Sequence, residues 1–122
     1  MASLRFGKVQ FRIMRVLWEK GRANAREITD AMNQIEPIAH STVQTLLRKL
    51  EEKEAAAHDV ENRTFIFYPL VEKESVTRFA LREFIDRIFN GSPVCMVSYL
   101  IESEEIPPEE MKQIREMFNK KA

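Results

Sequence analysis

The chain has 122 residues, is 44% hydrophobic and 31% charged, and balances 19 basic against 19 acidic side chains for a formal net charge of zero. That length predicts one domain, or a small domain with an appendage, and the composition is that of a soluble, helix-rich globular protein. An internal disulfide is excluded because Cys95 is the only cysteine, and a membrane span because the longest weakly polar run, Pro93 to Ile101, is too short to cross a bilayer.

Residues 7–20, GKVQFRIMRVLWEK, predict a first helix. Val9, Ile13, Val16 and Leu17 form its apolar stripe, widened by Phe6, Met14 and Trp18, and Gly21 stands where a C-terminal stop belongs. Trp18 reads as a core residue. Asn24, followed three residues later by Glu27, has the form of a capping box. The second helix it opens runs to about Asn33, with Ile28, Ala31 and Met32 facing inward. Pro37 interrupts the chain, and the third helix, HSTVQTLLRKLEEKE, begins with His40 or Ser41 as its cap.

This third helix has two unlike faces. Val43, Leu46, Leu47 and Leu50 follow the i, i+3, i+4, i+7 rule and form one apolar stripe. Ser41, Gln44, Thr45 and Arg48 point away from it, with Thr42 and Lys49 on the flank. A short polar face rich in donors can enter a DNA major groove and bond to base edges, although an ordinary amphipathic surface helix has the same pattern. The spacing of the two helices, 25–33 and 40–53, is that of a helix-turn-helix with the second helix in the reading position. The N-terminus of the helix at 25–33 also offers free N–H groups to a phosphate.

Thr64-Phe65-Ile66-Phe67-Tyr68 has strand composition, Glu61-Asn62-Arg63 supplies a turn, and Ala56–Val60 is the partner strand. A hairpin after a helix-turn-helix is a wing. Arg63 at its tip either reaches a phosphate or the minor groove, or is an exposed turn arginine without a partner. Pro69 ends the second strand.

From Glu72 onward the pattern is helical. Residues 73–90 align Val76, Phe79, Ala80, Phe84, Ile85, Ile88 and Phe89, with Leu81 on the edge, until Asn90-Gly91 stops them. Ser92 caps a helix over 93–102 with Pro93 at its first position. An acidic loop, Glu102–Glu105, leads to a last helix over 108–120 carrying Met111, Ile114, Met117 and Phe118. Cys95, in an apolar run, reads as a buried inert thiol. Three short apolar helices are too few to bury their own stripes. Either they pack back on the winged domain or a second copy of the chain covers them, and a symmetric dimer also suits a reader of palindromic DNA.

The charge is weakly polarised. Residues 1–70 carry 11 Lys and Arg against 9 Asp and Glu, a balance of +2, and residues 71–122 carry 8 against 10, a balance of −2. His40 and His58 are the only histidines and form no metal-ligand spacing, and there is no Gly-rich phosphate loop. Glu104-Glu105 and Glu109-Glu110 lie in a loop and a first helical turn, where they suit the helix dipole. No catalytic residue, metal or cofactor is therefore expected, and the chain does not read as an enzyme. With no signal peptide at its start, the expected location is cytoplasmic, with no membrane partner.

IMRVLWEKG, ANAREI, STVQTLLRKLEEK and NRTFIFYPLV, in this order and spacing, resemble the penicillinase and methicillin-resistance repressors, the BlaI/MecI/CopY family. The likeness covers nearly the whole chain, including the helix at 73–90, the NGS break and the final helix. It implies a mainly α fold with a small β-wing: a winged helix-turn-helix DNA-binding domain over residues 1–70 and a three-helix dimerisation domain over 71–122. It implies a homodimeric repressor on a dyad operator. The base-reading face carries over to Ser41, Thr42, Gln44, Thr45 and Lys49, with Arg48 as a backbone candidate and Arg63 as the basic residue of the wing tip. The stripe residues expected at the dimer interface are Phe79, Phe84, Ile88, Val97, Leu100, Ile114 and Phe118.

The resemblance also implies a sensor protease, or another upstream signalling protein, as a partner. Inducible members of the family are cut at an Asn-Phe bond, and the matching place here is Tyr99-Leu100. Copper-responsive members carry paired CxC motifs at the C-terminus, where this chain ends in FNKKA. After the recognition helix the family has Gly, a bulky apolar residue and basic residues. Here Glu54-Ala55-Ala56-Ala57-His58 stand instead, so Glu54 is expected in a left-handed conformation and the wing base loses positive charge. The competing expectation is a winged-helix protein-interaction module without sequence-specific DNA binding.

Overall fold

The computed structural model describes residues 2–121 and has six helices and three strands among them. In chain order they are α1 (Lys8–Lys20), β1 (Ala23–Asn24), α2 (Ala25–Asn33), α3 (His40–Glu52), β2 (Ala56–Glu61), β3 (Thr64–Pro69), α4 (Lys73–Ile88), α5 (Pro93–Glu102) and α6 (Pro108–Lys121). The chain forms two compact units, one ending at Ala80 and the other beginning at Leu81. The division falls inside α4, ten residues past the 70/71 boundary expected from the end of the wing.

The core of the first unit is where α1, α2 and α3 meet the sheet. Ile13, Met14 and Leu17 of α1, Ile28 and Met32 of α2, and Val43, Leu47 and Leu50 of α3 are buried, together with Ala23, Ala55, Ala56 and Phe67. The α1 stripe is rotated from the expected one: Gln10 is buried together with Ile13, Met14 and Leu17, and Val9 and Val16 are only half-buried. Gln10 is tolerated inside because its Oε1 accepts from the Gly7 amide at 3.0 Å and from Lys53 Nζ at 2.9 Å. Trp18 sits at the edge of the core, half-buried, where its indole Nε1 donates to the Val71 carbonyl at 2.9 Å.

The capping box of α2 forms as expected. Asn24 Oδ1 accepts from the Glu27 amide at 2.8 Å, and Glu27 Oε1 accepts from the Asn24 amide at 2.9 Å. The start of α3 differs from expectation. Ala39 is the N-cap and no side chain caps the helix, because His40 is already its first residue and bonds elsewhere. The turn before it is held by Asn33. Its Nδ2 donates to the carbonyls of Thr29 (2.9 Å) and Ile38 (3.1 Å), and its Oδ1 accepts from the Ile38 amide (3.0 Å).

The sheet has the order β1-β3-β2 and is antiparallel throughout. β1, two residues long, pairs Ala23 with Phe67 and Asn24 with Ile66. It was not expected from the sequence. β2 and β3 pair from Ala56↔Pro69 to Glu61↔Thr64, leaving Asn62-Arg63 as a two-residue loop. Both loop residues have positive φ, 51° and 65°, as a type I′ hairpin turn requires. Glu54 has φ 61°, the left-handed conformation expected of it. Ala55 and Ala56 beside it are fully buried. The alanines fit because α3 ends there and the chain reverses at once, with the Leu70 amide donating to the Ala55 carbonyl at 2.8 Å.

In the second unit Ser92 caps α5, its hydroxyl accepting from the Cys95 amide at 3.2 Å, with Pro93 at the first helical position. Arg82 ties the end of α4, bonding Asp86 at 2.9 Å and the Gly91 carbonyl at 3.0 Å. Phe89 contacts Phe84 and Tyr99 ring to ring. Within the single chain α5 and α6 bury no residue fully, and Val94, Tyr99, Met117 and Phe118 are each more than 60% exposed. The expectation of a buried Cys95 is overturned: the thiol is free and exposed, because α5 leaves that face of the helix uncovered in the single chain.

Candidate nucleic-acid interface

α3 divides as its sequence requires. Val43, Leu47 and Leu50 are buried and Leu46 is half-buried, while Ser41, Thr42, Gln44, Thr45, Arg48 and Lys49 are all exposed. Burying about three aliphatic side chains, at roughly 1.5–3 kcal/mol each, fixes the rotation of the helix about its own axis and so decides which residues face outward.

One edge of the outward face, Gln44 and Arg48, forms a wall of an open groove of about 770 Å³. Gln44, Arg48 and Glu51 line it from α3, Asn24 and Arg26 from the start of α2, and His58, Arg63, Thr64 and Phe65 from the wing. Of the seven expected DNA-binding residues, the groove therefore brings together Gln44, Arg48 and Arg63. Ser41, Thr42, Thr45 and Lys49 lie on the exposed face of the same helix but do not line the groove.

Hydrogen bonding narrows what each side chain can offer. Thr45 Oγ1 donates to the Ser41 carbonyl at 3.0 Å, so its only proton is committed and it presents lone pairs and a methyl group. Among the described residues, the structure gives Gln44, Arg48, Lys49 and Arg63 no side-chain hydrogen bond, so their donors face solvent.

The wing is stiffened on both faces. On one, His58 Nδ1 meets the Glu51 carboxylate at 2.7 and 2.9 Å, and the imidazole stacks on Phe65 with centroids 3.9 Å apart. On the other, Asp59 accepts from Arg22 at 2.9 Å, and the guanidinium lies 5.3 Å from the centre of the Tyr68 ring. The bond from Asp59 raises the pKa of Arg22 above its ordinary value. These contacts order the base of the wing by joining His58 to Glu51 and Asp59 to Arg22.

Sequence reasoning did not single out Arg26, His40, Glu51 or His58 as groove residues. For Arg26 a signal existed, because it lies in the first turn of a helix already credited with a phosphate-facing end. For His40 and Glu51 the signal was the helical period, which puts them on one face with Gln44 and Arg48; for His58 there was none, since its arrival comes from tertiary packing. Among the described residues no group of three or more His, Cys, Asp or Glu is placed to hold a metal ion, and no helix is long and apolar enough to cross a membrane.

Of the residues expected at a dimer interface, Phe84, Ile88, Val97 and Phe118 are exposed in the single chain, while Phe79, Leu100 and Ile114 are half-buried.

Comparison with known proteins gives a consistent result. The family model described as penicillinase repressor matches residues 6–120. The methicillin resistance regulatory protein MecI of Staphylococcus aureus is 25% identical over 112 residues, 92% of this chain and 91% of that protein. The penicillinase repressor of Bacillus licheniformis is 24% identical over 109 residues, 89% and 85% of the two chains. Among solved structures, the DNA-binding domain of the repressor BlaI superposes with a TM-score of 0.54 at 24% identity, covering 60% of this chain and 90% of that domain. The first unit is thus a winged helix, mainly α with a small antiparallel sheet.

Proposed function

The chain belongs to the penicillinase repressor family, and from that membership we propose that it is a transcriptional repressor whose homodimer binds a palindromic operator in double-stranded DNA. One observation carries this reading: the polar face of α3 is exposed and, among the described residues, free of ion pairs, and its Gln44 and Arg48 line a groove whose other wall is the wing with Arg63 at its tip. α3 enters the major groove, where Ser41, Thr42, Gln44, Thr45 and Lys49 face base edges. Arg48 and Arg63 neutralise phosphates, as does the N-terminus of α2. Residues 1–70 supply this DNA-binding part and residues 71–122 the dimerisation part.

The second copy covers Phe79, Phe84, Ile88, Val97, Leu100, Ile114 and Phe118, which gives the apolar surface of α5 and α6 a partner. Repression is by occupancy, without catalysis or cofactor, in the cytoplasm. Release answers to an upstream partner, a sensor protease or another signalling protein. With Tyr99-Leu100 in place of the family's Asn-Phe, cleavage at that bond does not carry over.

Selection of bound sequences from a random duplex pool at two salt concentrations tests the reading. A palindrome with half-sites about 10 to 11 base pairs apart is expected. Gln44→Ala and Thr45→Ala should each lose about 1–3 kcal/mol of discrimination at one base position. An unenriched pool overturns sequence-specific reading and leaves a winged-helix module that binds protein.

A further inference from the structure

His40, the first residue of α3, faces Thr29 of α2, and one proton assignment makes both short contacts of the Thr29 hydroxyl hydrogen bonds. Thr29 is buried and its Oγ1 lies 2.8 Å from the Ala25 carbonyl and 2.9 Å from His40 Nδ1. A hydroxyl has a single proton. A carbonyl can only accept, so both short contacts are hydrogen bonds only when the Thr29 proton goes to Ala25. Nδ1 of His40 must then donate to the Thr29 oxygen. In the neutral ring the other nitrogen, Nε2, carries no proton and is a lone-pair acceptor.

Ring geometry directs Nε2 away from Thr29, and His40 lines the groove, as Gln44 does. No other hydrogen bond engages the His40 side chain among the described residues. The ring is held at both of its degrees of freedom, since its backbone is the first turn of α3 and its Nδ1 is pinned to α2. Residues at the N-terminal end of a recognition helix are the ones that reach base edges.

We propose that His40 is a further specificity-determining residue, its Nε2 accepting a hydrogen bond from a base amino group in the major groove, with Thr29 as the positioning residue that holds the accepting tautomer. This rests on the reading of α3 as the recognition helix. The base it selects bears an amino group on its major-groove edge, adenine N6 or cytosine N4, on the strand that faces His40. Guanine and thymine present acceptors there and are rejected. Lys49 on the same helix is a pure donor, so an acceptor at His40 selects for a base group that Lys49 does not.

The experiment is pool selection at one salt and one pH with wild-type protein and four variants: His40→Ala, Thr29→Val, Thr29→Ser and Gln44→Ala. Wild type is expected to show a half-site position that favours adenine or cytosine. His40→Ala should flatten that position by roughly fivefold to tenfold, the scale of one base hydrogen bond, and leave the rest of the motif intact. Thr29→Val keeps the shape but removes the hydroxyl, and should flatten the same position. Thr29→Ser restores the hydroxyl and should restore the preference, which a purely structural role for Thr29 would not produce.

A His40→Ala motif identical to that of wild type overturns the proposal while the recognition-helix reading stands, provided Gln44→Ala still alters its own position. A uniform loss across all sequences in His40→Ala, with a smaller salt dependence, makes His40 a phosphate contact and also overturns it. A wild-type pool with no motif overturns both.

Discussion

Arg63 occupies a backbone conformation that its own side chain opposes, which makes Arg63→Gly a sharp test of how the wing is built. Its φ of 65° is left-handed, at the second position of a two-residue loop between the paired residues Glu61 and Thr64. A Cβ in that conformation costs about 1–2 kcal/mol in a regular left-handed stretch, and glycine avoids the cost. Asn-Gly is the favoured pair for such a turn. Glycine also loses more entropy on folding, which returns part of the gain, so a net stabilisation of about 0.5–1 kcal/mol is expected.

The same change removes the wing-tip charge. If Arg63 neutralises one phosphate, the slope of log affinity against log salt should fall by about 0.9, with similar losses for all sequences. Arg63→Ala separates the two effects, because it removes the charge but keeps the Cβ, and so should weaken DNA binding equally without gaining stability. Urea denaturation at fixed protein concentration reads the first quantity and DNA titration across salt reads the second. Equal denaturation midpoints for the Gly and Ala variants would refute the backbone argument. An unchanged salt slope in both would refute the phosphate contact.

Three further outcomes follow from the packing. Leu47→Ala empties a fully buried site beneath the exposed polar face of α3 and should cost about 2–5 kcal/mol, seen as a lower urea midpoint and, on the proposed reading, weaker DNA binding. A change below 1 kcal/mol would mean that α3 is not anchored there. Asn33→Ala removes the side chain that bonds Thr29 and Ile38 across the turn before α3. A loss of about 1–2 kcal/mol is expected, accompanied by faster amide exchange at the start of α3. The double substitution Val97→Glu and Phe118→Glu alters side chains exposed in the single chain, so the helical content by circular dichroism should hold while sedimentation shifts from dimer to monomer. A dimer that persists unchanged would place the interface elsewhere.

Local sequence by itself determines most of the elements and their ends. Asn24 with Glu27, Ser92 with Pro93, and Gly21 each mark a helix boundary through a bond or a conformation confined to a few neighbouring residues, and each behaves in the fold as its residue type dictates. The division of α3 into buried Val43, Leu47 and Leu50 and exposed Gln44, Arg48 and Lys49 is likewise written in its 3.6-residue period. The left-handed Glu54 was legible because a side chain stood where a glycine would be unstrained.

Tertiary structure decided what no local pattern encodes. β1 is two residues long, has no periodicity of its own, and is a strand only because β3 lies beside it. The α1 stripe turned to bury Gln10, because Lys53, 43 residues away, supplies the donor its amide oxygen needs. His40 did not cap α3 with its side chain, because α2 brings Thr29 within 2.9 Å of the ring. Glu51, His58 and Phe65 became one cluster only when the wing folded back toward α3. Helix boundaries depend on bonds between near neighbours, and a sequence carries those in order along the chain. The composition of the groove depends on which distant side chains arrive at the same place, and that is settled only when the core closes.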